Sequence, residues 1–316
     1  MVSQLTSQTQ NRVGIALGSG SARGLAHIGV IRELHELGFE PTIVCGTSIG
    51  ALIGAVYVSG QLDTFDSWVR TLNTKDIIRY MDIKLLVGGG FAHGKQLIDF
   101  LKERFGDSLI EDLPKTFAAV ATDLNTGREI WVREGSLWEA VRASISFPGI
   151  LTPVKVQNRW LVDGGLVNPV PVSVCRAMGS EAIIAVNLNG DIVGRRSIKD
   201  DEIVPEEEKT STEIRLLDKL ATSIKERATP FVSQWLKSSI DSPGLFDVIM
   251  GSIDIMQDRI TRSRLAGEPA DLVLAPRVGK IKLLEFDRAA EVIEEGRDCV
   301  RRMLPAIQDA LSSGGN

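Results

Sequence analysis

The chain has 316 residues, 43% hydrophobic and 24% charged, so it can bury a substantial core and reads as one large α/β domain or two small ones. Its formal net charge is -5 with both signs mixed along most of the length. That balance argues against nucleic acid as a partner and against electrostatic steering to an anionic membrane.

Residues 1–12 carry no apolar stretch of the signal-peptide kind, and no later stretch reaches the roughly 18 uninterrupted apolar residues of a membrane span, so a cytoplasmic location is the expectation. Cys45, Cys175 and Cys299 are far apart and odd in number, which argues against a disulfide framework and against a zinc site; they read as buried thiols.

Val13-Gly-Ile-Ala-Leu17 is a short apolar run of the buried-strand kind, closed by the glycine-rich turn Gly18-Ser-Gly-Ser-Ala-Arg-Gly24. Leu25, Ile28, Ile31, Leu34 and Leu37 then recur at helical spacing up to Gly38. Pro41 to Cys45 predicts a second strand, and Gly46-Thr-Ser-Ile-Gly50 turns into a second helix carrying Leu52, Ile53, Val56 and Tyr57. This alternation calls for a parallel sheet covered by helices on both faces. Thr116 to Thr122 and Glu129 to Val132 predict a hairpin turning at Asn125-Thr-Gly127, and Arg159 to Val162 and Ala182 to Asn187 predict further strands. The polar stretch from Asp191 to about Glu213 reads as a solvated insertion. From Leu216 to Leu265 the chain reads as helical, and Phe231, Trp235, Leu236, Phe246, Ile249, Met250, Ile253 and Met256 offer apolar surface for core packing or for a lid, the former being the simpler expectation. Ala270 to Ala275 predicts a last strand, and Phe286 to Leu311 a final helix. The organisation expected is a flexible segment 1–12, a core 13–190, a polar insertion 191–213, and a region 214–316 that completes the same domain.

Chemistry concentrates at three points. Gly46-Thr-Ser48-Ile-Gly50 is a G-x-S-x-G sequence with a strand before it and a helix after it, the context in which a serine is projected from a sharp turn at a helix N-terminus, where negative charge is favoured. Gly18 to Gly24 lacks the third glycine of a dinucleotide fingerprint and the Gly-Lys-Ser/Thr of a P-loop; what remains is an oxyanion hole built from backbone N–H groups near Gly20 and Ser21. A nucleophilic serine needs a base, and only His27, His35 and His93 exist, none in the chain order or context of a triad, so each reads as structural or exposed. Asp163 ends the strand before Gly164 and Gly165, where burial would raise its basicity; an Asp-Gly turn residue is the equal alternative.

Gly20-Ser-Ala-Arg-Gly24, Gly46-Thr-Ser-Ile-Gly50 and Asp163-Gly-Gly165, in that order, resemble the three signatures of patatin-like phospholipases, and Ala121-Thr-Asp-Leu124 and Ala143-Ser-Ile-Ser-Phe-Pro148 resemble two of the family's auxiliary segments. The resemblance runs from about Val13 to Asn187, is nearest to bacterial RssA-type members, and extends to the tail around Ile255 to Arg264. It implies a three-layer α/β/α fold with a mainly parallel central sheet and a C-terminal helical part. It also implies a dyad of Ser48 and Asp163 and an elbow of Gly46, Thr47, Ile49 and Gly50. The oxyanion hole it implies draws on Gly18, Gly20, Ser21, Ala22, Arg23 and Gly24, with Gly164 and Gly165 supporting the dyad. No metal or cofactor is called for. The implied activity is hydrolysis of acyl esters in lipids, as a phospholipase A or lysophospholipase-like esterase, with a lipid or acyl-ester substrate and room for peripheral contact at the inner membrane surface.

One departure stands out: Ser19 and Ser21 interrupt a loop in which most of the family has consecutive glycines, and a serine is less free in φ. Two other functions remain open on sequence. One is an acyltransferase, although the related malonyl-transferases carry a His where this chain has Thr47; the other is a regulatory binding protein with a vestigial site, which intact Ser48 and Asp163 oppose.

Overall fold

The computed structural model describes residues 12–73, 76, 80, 94–190 and 245–312. The strands are β1 (Val13–Leu17), β2 (Ile43–Thr47), β3 (Thr116–Asp123), β4 (Glu129–Val132), β5 (Val154–Val156), β6 (Arg159–Asp163), β7 (Ala182–Val186) and β8 (Leu272–Leu274). The helices are α1 (Ala26–Glu36), α2 (Ile49–Val58), α3 (Leu62–Val69), α4 (Lys95–Phe105), α5 (Leu137–Ser144), α6 (Val172–Ala177), α7 (Leu245–Gly267), α8 (Ala289–Arg302) and α9 (Leu304–Ser312).

All these strands join one sheet, in which β3 pairs with β2, β4 and β6, β5 pairs with β6, and β1, β7 and β8 follow β2 in turn. β3, β2, β1, β7 and β8 run parallel, whereas β4 and β6 are antiparallel to β3 and β5 is antiparallel to β6. The central strands are apolar on both faces because both faces are covered. Ile15, Leu17, Val44, Phe117, Ala119, Ile184 and Val186 meet α1, α2, α3 and α8 on one side. The residues between them, Ala16, Ile43, Cys45, Ala118, Val120, Ile183 and Ala185, meet α6 on the other. This period-two division is the three-layer α/β/α arrangement expected of the sequence. α1 and α8 pack with their backbones nearly touching: a Cβ on Gly29 would fall 1.8 Å from the Ile293 carbonyl oxygen and one on Gly296 2.1 Å from that of Ala26.

The register around β3 fixes where the site forms. Ala119 and Val120 pair with both β2 and β4, and Ala121 and Thr122 with both β4 and β6. A strand has only two edges, so β4 occupies one and β2 and β6 share the other, meeting head-on: Thr47 is opposite Val120 and Asp163 opposite Ala121.

Several details differ from expectation. β2 is displaced toward its C-terminus and runs into Ser48 itself. β5 and α5 were not anticipated, although Ser136 and Glu139 form an N-cap whose Ser136 Oγ accepts from the Glu139 N–H. The final helix breaks into α8 and α9 at Met303, because Pro305 has no N–H to continue the ladder. Cys45, Cys175 and Cys299 are free and buried. The expectations for residues 1–11 and 191–244, including Phe231, Trp235 and Leu236, lie outside the described residues. Of the apolar residues on α7, Met250 and Ile253 are buried and Ile249 and Met256 are exposed.

Candidate active site

Ser48 sits at the N-terminus of α2 with φ 58 and ψ -122, a backbone strained for a non-glycine residue. Its turn is sharp because flanking side chains are absent: a Cβ on Gly46 would fall 2.4 Å from the Gly50 carbonyl oxygen, and one on Gly50 2.1 Å from that of Leu17. The first N–H groups of α2 have no intrahelical acceptors, so the helix end favours negative charge beside Ser48. Ser48 Oγ donates to Asp163 Oδ2 at 2.5 Å. Its backbone N–H donates to Ser144 Oγ at 2.8 Å, and that hydroxyl donates onward to the Val120 carbonyl at 2.5 Å.

Asp163 is fully buried. Its Oδ1 accepts the Gly165 N–H at 2.7 Å, its backbone N–H donates to Ser146 O at 3.0 Å, and its carbonyl accepts from Thr122 Oγ1 at 2.8 Å. Burial pushes the carboxyl up to about 6; the hydrogen bonds from Ser48 and Gly165 oppose that rise. The carboxylate therefore remains ionised at neutral pH while being a far stronger base than a surface aspartate. Gly164 carries no side chain because a Cβ would fall 2.2 Å from the Val120 carbonyl oxygen, and Thr47 Oγ1 ties the following turn down through the Asn168 carbonyl at 2.8 Å.

The glycine-rich loop after β1 lies against this pair. The Gly18 N–H donates to Val186 O, that of Ser19 to Pro169 O and that of Ala22 to Leu283 O, whereas the N–H groups of Gly20 and Ser21 have no acceptor among the described residues. Ser21 has φ 52. Arg23 Nε donates to Gly20 O at 3.1 Å, and its Nη2 pairs with Asp254 Oδ1 at 2.9 Å. Ser19 Oγ donates to Gln257 Oε1 at 3.0 Å. A cavity of about 150 Å³ opens from Gly20, Ser21 and Ser48 and is walled by apolar side chains, among them Leu52, Phe65 and Trp68.

His27 is buried and its Nε2 donates to the Gly18 carbonyl at 2.8 Å, so Nε2 carries a proton; burial favours the neutral ring and lowers its pKa to about 4, against the pull of that carbonyl. His35 bonds the Tyr57 hydroxyl at 2.9 Å, and His93 lies outside the described residues. Neither described histidine touches Ser48, and both serve the scaffold.

The structure thus brings together Ser48, Asp163, the two elbow glycines, Thr47 and the loop Gly18 to Gly24. Sequence reasoning missed Ser144 and Ser146, although both stand in the quoted Ala143 to Pro148 segment. It also missed Thr122, Asp254 and Gln257, the last two being polar residues on a helix whose apolar residues alone were expected to pack.

The sequence profile described as patatin-like phospholipase matches residues 15–176. An uncharacterized NTE family protein of Mycobacterium tuberculosis is 34% identical over 333 aligned positions, covering 94% of this chain and 92% of its own length. A patatin-like phospholipase domain-containing protein of Caenorhabditis elegans is 37% identical over 187 positions, covering 57% of this chain and 14% of its own. A lysophospholipase of Emericella nidulans is 29% identical over 299 positions, covering 90% of this chain and 17% of its own. With its profile match inside the sheet-and-elbow core and a relative aligned along nearly its whole length, the chain belongs to the patatin-like phospholipase family.

Proposed function

We propose that the protein is a serine hydrolase of acyl esters in lipids, a phospholipase A or lysophospholipase-like esterase that uses Ser48 as nucleophile and Asp163 as its base. The observation that carries this reading is the Ser48 Oγ to Asp163 Oδ2 hydrogen bond at the mouth of an apolar cavity. Asp163 takes the hydroxyl proton as Ser48 Oγ attacks the ester carbonyl carbon, and the carbonyl oxygen becomes negative beside the N–H groups of Gly20 and Ser21, which no described residue engages. On collapse, protonated Asp163 returns the proton to the departing alkoxide, leaving the acyl group on Ser48. A water, deprotonated by the same carboxylate, then releases the acid and restores Ser48.

The apolar wall suits an acyl chain, and the lysophospholipase among the relatives supports a lipid ester as its source. Among the described residues no helix is long and apolar enough to cross a membrane.

The test is labelling with a fluorophosphonate together with turnover of p-nitrophenyl esters of rising chain length. Ser48→Ala should abolish both, and long-chain esters should be preferred. Full labelling of the Ser48→Ala protein would assign the nucleophile elsewhere.

A further inference from the structure

The serines that interrupt the glycine-rich loop have side-chain partners on segments beyond the residues matched by the family profile. Ser19 is buried, and its hydroxyl donates to Gln257 Oε1 at 3.0 Å; that oxygen also accepts from Asn189 Nδ2 at 3.1 Å, so two donors fix which way the Gln257 amide faces. The same amide abuts the base: the point where a Gly165 side chain would begin is 2.5 Å from Gln257 Nε2 and 3.0 Å from Asp163 Oδ1. Ser21 Oγ donates to the Leu283 carbonyl at 2.6 Å, and the Ala22 N–H donates to the same oxygen at 3.1 Å.

These bonds bear on a conformational problem. Ser21 has φ 52, which a glycine would adopt without cost but would leave as readily. A serine pays for that conformation and persists in it only where its surroundings hold it. Two bonds converging on one carbonyl do so here. The residue so held, Ser21, is the one whose own N–H no described residue engages and which can meet a developing oxyanion.

We infer that Ser19 and Ser21 are positioning residues whose hydroxyls tether the loop to Gln257 of α7 and to the Leu283 carbonyl, fixing the Gly20 and Ser21 N–H groups. The inference rests on the oxyanion role given to those groups above. In a loop of glycines the backbone fits the required shape by freedom; in this chain it is clamped from the C-terminal third.

The test is a series at residue 21, read on a soluble p-nitrophenyl ester. Ser21→Ala keeps the strain and loses the tether, so kcat/KM should fall on the order of ten- to a hundredfold, toward the loss seen when an oxyanion donor is removed. Ser21→Gly loses the tether and the strain together and should fall only about threefold. Packing alone would instead make glycine the worse substitution. The Ki of a trifluoromethyl ketone, whose adduct with Ser48 carries the oxyanion, should rise by the same factors, while KM and the acid limb of the pH profile stay put. Ser19→Ala and Gln257→Met should each lower kcat, and the double variant should be no worse than Gln257→Met alone, because both remove the Ser19 to Gln257 bond. Equal kcat/KM for serine, glycine and alanine at residue 21, in a protein whose turnover requires Ser48, overturns the tether and leaves the dyad standing. Amide exchange at Ala22 decides the tether without any turnover: faster exchange in Ser21→Ala supports it, and unchanged exchange overturns it even if Ser48→Ala shows the dyad reading to be wrong.

Discussion

Arg23 and Asp254 lie 231 positions apart and form an ion pair at 2.9 Å, both largely removed from solvent. Arg23 at the same time holds the Gly20 carbonyl through Nε. In a trans peptide the carbonyl and the next N–H point in opposite directions, so this grip aims the Ser21 N–H away from Arg23. Arg23→Lys keeps the charge and loses the Nε donor, so kcat should fall about tenfold with a small change in Tm. Asp254→Asn leaves a buried cation without its partner and should cost about 3–5 kcal/mol of stability in a denaturant melt. Parental kcat in Arg23→Lys would show that the guanidinium only fills space.

Asp163 makes activity and stability answer to pH in opposite ways. Turnover needs the carboxylate, so kcat/KM should rise as pH rises through about 6 and level off above it. The folded value of about 6 exceeds the ordinary 3.8, so the folded protein holds the proton more tightly. Its contribution to stability is complete below the ordinary value and is lost as pH rises through the folded one. Asp163→Asn, which cannot ionise, should therefore abolish turnover and raise stability by up to about 3 kcal/mol at pH 8, the gain disappearing by about pH 4. An Asn variant that melts below the parent at pH 8 contradicts this account.

His27 has the reverse dependence. Its folded value of about 4 lies below the ordinary 6.5, so its contribution is present above the ordinary value and is lost as pH falls through the folded one. The parent should lose about 3 kcal/mol from this source between pH 7 and pH 4. His27→Gln, which retains a donor for the Gly18 carbonyl, should flatten that slope and keep measurable kcat. A loss of kcat of about a thousandfold, comparable to loss of a catalytic base, would instead give His27 a part in proton transfer.

Ser144 holds the strained Ser48 peptide by accepting its N–H. Ser144→Ala leaves that donor buried without a partner and should cost about 1–3 kcal/mol. Fluorophosphonate labelling of this variant should slow while its final stoichiometry remains full. Unchanged labelling kinetics would mean that the elbow keeps its shape without Ser144.

Much of the site is readable because its parts are local. The run Val13 to Leu17 ends at Gly18 because the chain turns there, and the small residues around Ser48 reveal the elbow. Other parts are hidden for physical reasons. Val154-Lys-Val156 is a three-residue strand whose identity comes from pairing with β6. Asp254 and Gln257 reverse the usual logic of an amphipathic helix: polar residues on α7 are buried because their partners wait on the glycine-rich loop, while Ile255 and Met256 face outward. That Asp163 arrives on an antiparallel strand is a matter of topology that no local pattern in Arg159 to Val162 conveys.

Because β2 and β6 lie end to end along one edge of β3, that edge works as a ruler for the distance between Ser48 and Asp163. Neither connecting loop sets the spacing. The turn at residues 124–128 can be exchanged without disturbing the pair, provided β6 keeps its register, whereas Ser144 and Ser146 further along the same connection hold Ser48 and Asp163 directly. A slip of two residues would preserve every side chain's face and yet carry the carboxylate about 7 Å away. That turn is therefore open to divergence, while the pairing of Asp163 with Ala121 is not.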